Sequence, residues 1–163
     1  MQSEWSIDVD SFGVVRISLQ LIQILKKYRQ LEFATPESGG VLIGKHLNSG
    51  GAILIDELTH PQLTDQQGRC TYYRSTAHND LVQRIWKQTH HHSTYVGLWH
   101  THPENIPAYS FADKKDWLNA LSSSIYEGNH LIFLIVGISH ITCWVGFENK
   151  QKNKIVLAGK YQY

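Results

Sequence analysis

Two histidines one residue apart, His100 and His102, are the first feature with chemical potential, because imidazole nitrogens at that spacing can share a metal ion. They end the run Thr94-Tyr95-Val96-Gly97-Leu98-Trp99-His100, whose β-branched and aromatic content predicts a strand. Alternation along a strand puts His100 and His102 on one face and Thr101 on the other. Two residues of strand span about 6.6 Å, so the rings can lean together to the ~2.0–2.1 Å bonds that zinc makes with imidazole. Pro103 has no N–H to give a ladder and ends the strand. That places the site at a sheet end, where positions for water and substrate are easily left open.

Ser110-Phe111-Ala112-Asp113 follows, with the S-x-x-D layout of a helix N-terminus. Taken alone this is a cap. Beside two same-face histidines, Asp113 becomes a third ligand, and three protein ligands plus one open position is the arrangement of catalytic rather than structural zinc. A structural site would want a fourth protein ligand, and no cysteine stands nearby. Zinc lowers the pKa of a bound water to about 7, so a neighbouring carboxylate can take its proton. Glu37 is the candidate, standing just before the strand Gly39-Gly40-Val41-Leu42-Ile43-Gly44, whose glycines permit close backbone approach. The pattern does not place that strand beside the histidines. The Ser110 hydroxyl has two competing uses, capping the helix or donating to the oxyanion of a tetrahedral intermediate.

Other chemistries lack their residues. H-E-x-x-H is absent, as are H-x-E with P-C-x-x-C and the G-x-S-x-G elbow. His90-His91-His92 reads as a solvated turn, and His60, His78, His130 and His140 as ordinary surface or half-buried residues.

The elements that must position the site follow from periodicity. A first helix is expected over about Ser18 to Gln30, with Leu21, Ile22, Leu25 and Tyr28 on one face and basic residues at its end. Asn48-Ser49-Gly50-Gly51 predicts a hairpin turn into the strand Ala52 to Leu58. Thr59 to Arg69 reads as a polar loop, Cys70 to Tyr73 as a short strand, and Asn79 to Gln88 as a second helix. A third helix is expected from Ser110 to about Ser122. The strands Leu131 to Ile138 and Ile141 to Phe147 come next, joined tightly at Ser139-His140. Asn149 to Asn153 turns into a last strand, Ile155 to Tyr161. Interleaved helices and strands predict an α/β fold with a mixed sheet in one domain over residues 1–163.

Composition narrows the setting. With 42% hydrophobic and 18% charged residues, the chain can bury one core; a net charge of +1 without basic blocks argues against nucleic acid or an anionic membrane as partner. No apolar run approaches the ~18 residues of a membrane span, and Met1-Gln2-Ser3-Glu4-Trp5 lacks a signal-peptide layout. The two cysteines, Cys70 and Cys143, form no C-x-x-C pair, so free thiols and a cytoplasmic location are expected.

His100-Thr101-His102-Pro103, six residues, then Ser110-x-x-Asp113, with Glu37 to Gly44 upstream, resembles the full signature of the JAMM (JAB/MPN) metalloprotease family. The resemblance implies a cytidine-deaminase-like fold, one zinc held by His100, His102 and Asp113, Glu37 as general base and Ser110 as the stabilising hydroxyl. The reaction implied is hydrolysis of a peptide or isopeptide bond after the C-terminal tail of a ubiquitin-like protein. The insert Thr59–Arg69 leading into Arg69-x-x-x-Tyr73-Arg74 is most similar to the deconjugating peptidases of CBASS antiphage operons. There the substrate is a CD-NTase conjugate with an extended C-terminal tail, and an E1/E2-like enzyme is the functional partner. An extended tail is expected to add as a strand at an exposed edge, with Glu104 to Tyr109 as one wall and Tyr109 or Trp99 packing on it, core packing being the competing role for Trp99. Two readings stay open beside it: a peptidase that processes a sulfur-carrier tail, and a non-catalytic MPN scaffold.

Overall fold

The computed structural model describes residues 4–10, 12–47, 51–149 and 151–163. It opens with an antiparallel pair that the periodicity reading does not contain, β1 (Glu4–Val9) and β2 (Gly13–Ser18), in register from Glu4↔Ser18 to Val9↔Gly13. Ile7, Val15 and Ile17 alternate inward from these strands. Ser18 ends β2, and its hydroxyl accepts the Leu21 N–H at 3.2 Å, capping helix α1 (Leu19–Lys26). That helix stops four residues before the expected Gln30. The chain tightens instead through Lys27 N–H to the Ile24 carbonyl, and the Gln30 amide turns inward to the Thr35 and Arg69 carbonyls.

Strands β3 (Gly39–Leu47) and β4 (Ala52–Leu58) follow; residues 48–50 of the expected Asn48–Gly51 turn lie outside the described residues, as does Lys150 of the later one. The polar stretch after β4 is not wholly irregular: β5 (Gln66–Gln67) pairs with β6 (Tyr72–Tyr73). Helix α2 (Ala77–Gln88), strand β7 (Thr94–Thr101), helix α3 (Phe111–Ser123) and strands β8 (His130–Val136), β9 (His140–Phe147) and β10 (Lys154–Gln162) complete the order.

Eight strands form one sheet in the order β1-β2-β4-β3-β7-β8-β9-β10. β2 runs parallel to β4 and β7 to β8; the other neighbours are antiparallel, so the sheet is mixed. It curls until its edge strands meet, with Trp5 of β1 and Tyr161 of β10 5.5 Å apart at their ring centres.

Both faces are covered, which is why β8 is an unbroken apolar run. Ile132, Leu134 and Val136 face Leu21, Ile22 and Leu25 of α1. Leu131, Phe133 and Ile135 face Trp117, Ala120 and Leu121 of α3, and Trp117 stacks on Phe133 at 4.5 Å. β7 lies at the centre, and its close parallel approach to β8 needs Gly97, because a Cβ there would collide with the Ile132 carbonyl oxygen. Gly97→Ala is therefore expected to destabilise the protein by about 2–3 kcal/mol, read as a lower midpoint in urea unfolding.

Candidate metal-dependent active site

The site is assembled where β7 ends. Antiparallel pairing sets Gly39 of β3 opposite His100 and Gly40 opposite Trp99. The ladder continues past the strand: Thr101 N–H donates to the Ser38 carbonyl at 2.9 Å, and Ser38 N–H donates to Thr101 Oγ1 at 3.0 Å. Glu37 is thereby carried to the histidines, with its Oε1 3.8 Å from His102 Nε2. Thr101 points to the opposite face, where its hydroxyl donates to Gln30 Oε1. The alternation expected of a strand thus holds at the motif.

Helix α3 brings the last ligand candidate through a capping box. The Ser110 hydroxyl oxygen accepts Asp113 N–H at 3.1 Å, and Asp113 Oδ2 accepts Ser110 N–H at 2.7 Å. Capping consumes a lone pair of the Ser110 oxygen and leaves its O–H able to donate. Asp113 serves two partners at once, since its Oδ1 is 3.1 Å from His100 Nε2 and its Oδ2 is 3.2 Å from His102 Nε2.

The two histidine Nε2 atoms are 3.1 Å apart. Ligand atoms on ~2.0 Å bonds in a tetrahedron lie about 3.3 Å from one another; the two Nε2 atoms at 3.1 Å match this, and each faces one oxygen of the Asp113 carboxylate at 3.1 or 3.2 Å. His102 Nδ1 is 2.8 Å from Glu104 Oε1, so the carboxylate takes that N–H, and Nε2 is the ring nitrogen that faces Asp113 and would offer its lone pair to an ion. Among the described residues, His100, His102 and Asp113 are the group of side chains close enough to hold an ion.

Burial pushes the Glu37 carboxyl up, and although His102 opposes this, Asp113 and Glu104 add to it, bringing Glu37 to about 7. Burial also raises Asp113, but hydrogen bonds from His100 and then His102 outweigh it and hold that carboxyl well below the usual range. His102 would be lowered by burial, yet Asp113 and the Glu37 charge lift it above its ordinary value.

A cleft of about 800 Å³ opens over these groups. Cys70 to Arg74 form one wall, and Glu104 with the first turns of α3 forms the other. Arg74 bridges the walls by a bidentate pair with Asp116 at 3.0 and 3.1 Å. Of the two aromatics considered for substrate contact, Trp99 is fully buried on the α1 face, its indole N–H on the Thr59 carbonyl, and takes the core role. Tyr109 leans on Trp117 and Trp144 at 5.5 and 5.6 Å. The sheet edges are β1 and β10, so the edge nearest the cleft belongs to the β5–β6 ladder.

One reading of the histidines is corrected. His78 is not a surface or half-buried residue: it is 1% exposed and hydrogen-bonded to Asp65 and Thr59. Its partners lie 13 and 19 positions away, a distance at which no local pattern announces a pair.

A family model described as prokaryotic homologs of the JAB domain matches residues 21–149. The chain belongs to this family of JAB-domain proteins. It is 34% identical over 149 residues to a protein of Escherichia coli (strain TW11681) named CD-NTase/cGAS isopeptidase, covering 90% of this chain and 89% of that one. A protein of Vibrio cholerae serotype O1 with the same name is 31% identical over 87% of this chain and 86% of its own length. The solution structure of protein DSY2949 from Desulfitobacterium hafniense shares the fold, with a TM-score of 0.54 at 16% identity over 85% of this chain and 86% of that one.

The burial of Glu37 has a measurable consequence in the metal-free protein. A carboxyl whose folded pKa is raised to about 7 binds its proton more tightly than in the unfolded chain, so its contribution is present below the unfolded value and is lost as pH rises through about 7. Chelator-treated protein is expected to lose on the order of 2–3 kcal/mol between pH 4.5 and 7 from this group, and Glu37→Gln to remove that slope in urea titrations at several pH values.

Proposed function

We propose that this chain is a zinc-dependent isopeptidase that hydrolyses the bond after the C-terminus of a conjugated protein, removing a CD-NTase from its targets in CBASS antiphage defence. The observation that carries the chemistry is the convergence of His100, His102 and Asp113, with the two Nε2 atoms 3.1 Å apart and each facing an Asp113 oxygen, beside the buried Glu37. The biological setting is supported by the name shared by the Escherichia coli and Vibrio cholerae relatives, each similar over most of its length. Their name also favours a conjugate as substrate over a sulfur-carrier tail. A scaffold without catalysis is disfavoured because none of the metal-ligating or acid–base side chains is missing.

His100, His102 and Asp113 would hold the zinc, one ion per chain. Bound there, it supplies positive charge that acidifies water and polarises a carbonyl. Glu37 takes a proton from the attacking water and passes it to the departing amine as the C–N bond breaks and a C–O bond forms. Burial raises the Glu37 carboxyl in the metal-free protein, and a cation held beside it would oppose that rise and leave a carboxylate able to take the water's proton. The Ser110 hydroxyl keeps its donor while capping α3 and can place it on the carbonyl oxygen as charge develops there. An extended tail lies in the cleft between Cys70–Arg74 and the start of α3, alongside the β5–β6 ladder, with the globular part of the substrate outside. An E1/E2-like enzyme that makes the conjugate is the functional partner.

Purified protein is expected to contain one zinc per chain by mass spectrometry of the metal. Glu37→Ala is expected to keep that zinc yet cleave a CD-NTase conjugate roughly a thousandfold more slowly. Protein that takes up no stoichiometric zinc, or a Glu37→Ala variant as fast as wild type, would sink this mechanism. A variant that loses the metal along with activity would place Glu37 among the ligands instead.

A further inference from the structure

The backbone of Glu37 is held on one side by the stretch that follows β4. Glu37 N–H donates to the Gly68 carbonyl at 2.8 Å, and the Glu37 carbonyl accepts from the Gln67 side-chain amide at 2.8 Å. The ring of Tyr72 lies over Gly39, where a Cβ would overlap it. This stretch, Thr59 to Ser75, has little means of holding itself. Its ladder is two residues long on each side, and its large apolar side chains Leu63 and Tyr73 are exposed. Apolar burial therefore does not fix it.

A buried polar cluster does. The Asp65 side chain is 0% exposed and accepts four donors: Gln62 N–H at 2.8 Å, Ser75 N–H at 2.8 Å, the Tyr72 O–H at 2.7 Å and His78 Nε2 at 2.8 Å. Because Asp65 takes the Nε2 proton, His78 Nδ1 accepts the Thr59 hydroxyl, 2.7 Å away. The Thr59 oxygen in turn accepts Val41 N–H of β3 at 2.8 Å. The chain of bonds joins β3, the end of β4, the insert and α2. A hydroxyl, a histidine and an aspartate in line have the order of a hydrolase triad, but Thr59 is 3% exposed and committed to the β3 backbone, so no substrate reaches it. The cluster has another use.

We propose that Asp65 and His78 are positioning residues for Glu37: they lock the insert to β3 and α2 so that Gln67 and Gly68 hold the Glu37 backbone with its carboxylate facing His102. This rests on Glu37 acting as the base. A buried acceptor with four donors is strongly directional, since removing its charge leaves several buried donors poorly satisfied at once. The insert then loosens as a unit, and Glu37 with it, while the two hydrophobic clusters of the main sheet keep their own contacts.

Native-state hydrogen exchange of the Glu37 amide tests this without reference to activity. Asp65→Asn, and the milder Tyr72→Phe, which removes one donor and keeps the ring over Gly39, are expected to speed exchange at Glu37 about tenfold or more relative to amides of Ile132 to Leu134 in the same variant. Gln67→Ala, an exposed change that leaves the cluster intact, is expected to lower kcat several-fold with KM unchanged, and to have no further effect on the residual rate of Glu37→Ala. Unchanged Glu37 exchange in folded Asp65→Asn and Tyr72→Phe would overturn the proposal. So would a kcat loss for Gln67→Ala that persists in full without Glu37. A Glu37→Ala variant as active as wild type would remove the base assignment itself, and the exchange rates would still decide whether the pair holds that backbone.

Discussion

Two hydrogen bonds between Ser38 and Thr101, Thr101 N–H to the Ser38 carbonyl and Ser38 N–H to the Thr101 hydroxyl, carry the geometry of the site. Without them β3 and β7 would part company at His100, and Glu37 would be a loop residue with no fixed relation to the histidines. With them, a carboxylate, two imidazoles and the start of α3 occupy one sheet end. Glycine makes the approach feasible. At Gly39 and Gly40 any side chain would meet Tyr72, Thr59 or the Trp99 backbone and indole, so the β3 segment opposite the histidine strand must be bare.

The same sheet end shows how one residue can satisfy two demands. Asp113 caps α3 through Ser110 N–H and turns both its oxygens to the histidines. Its carboxyl stays ionised despite burial because each histidine hydrogen-bonds to it. Glu37 has fewer partners: its carboxylate has His102 at 3.8 Å and two neighbouring acids, so burial dominates and it holds its proton more readily. Two carboxyls a short distance apart are thus pushed in opposite directions, one toward a charged ligand and the other toward a proton carrier.

What the sequence disclosed follows from how local each signal is. Same-face histidines, a strand-ending proline and an S-x-x-D helix start are patterns within a few residues, and the structure brings His100, His102 and Asp113 together as that spacing requires. Glu37 is legible as a carboxylate before a glycine-rich strand, but its proximity to the histidines depends on the pairing of β3 with β7, which no local pattern fixes. The apolar run of β8 is legible as a strand, while its cover on both faces emerges only from the packing of α1 and α3. The pair β1–β2 escapes the periodicity because each strand is only six residues long and partly buried, although Val15 and Ile17 alternate inward as a strand should. The insert was read as a polar loop since what organises it, Asp65 with His78, Thr59 and Tyr72, is a set of polar contacts spread over the chain rather than a periodicity.

The chemistry of the site depends on one metal ion shared by His100, His102 and Asp113. Crystals of the protein grown with zinc, with anomalous diffraction collected on both sides of the zinc absorption edge, measure this directly. A single strong peak is expected about 2.0–2.1 Å from His100 Nε2, His102 Nε2 and an Asp113 oxygen, present only above the edge. A peak at other side chains, or none at this sheet end in fully zinc-loaded crystals, would contradict it.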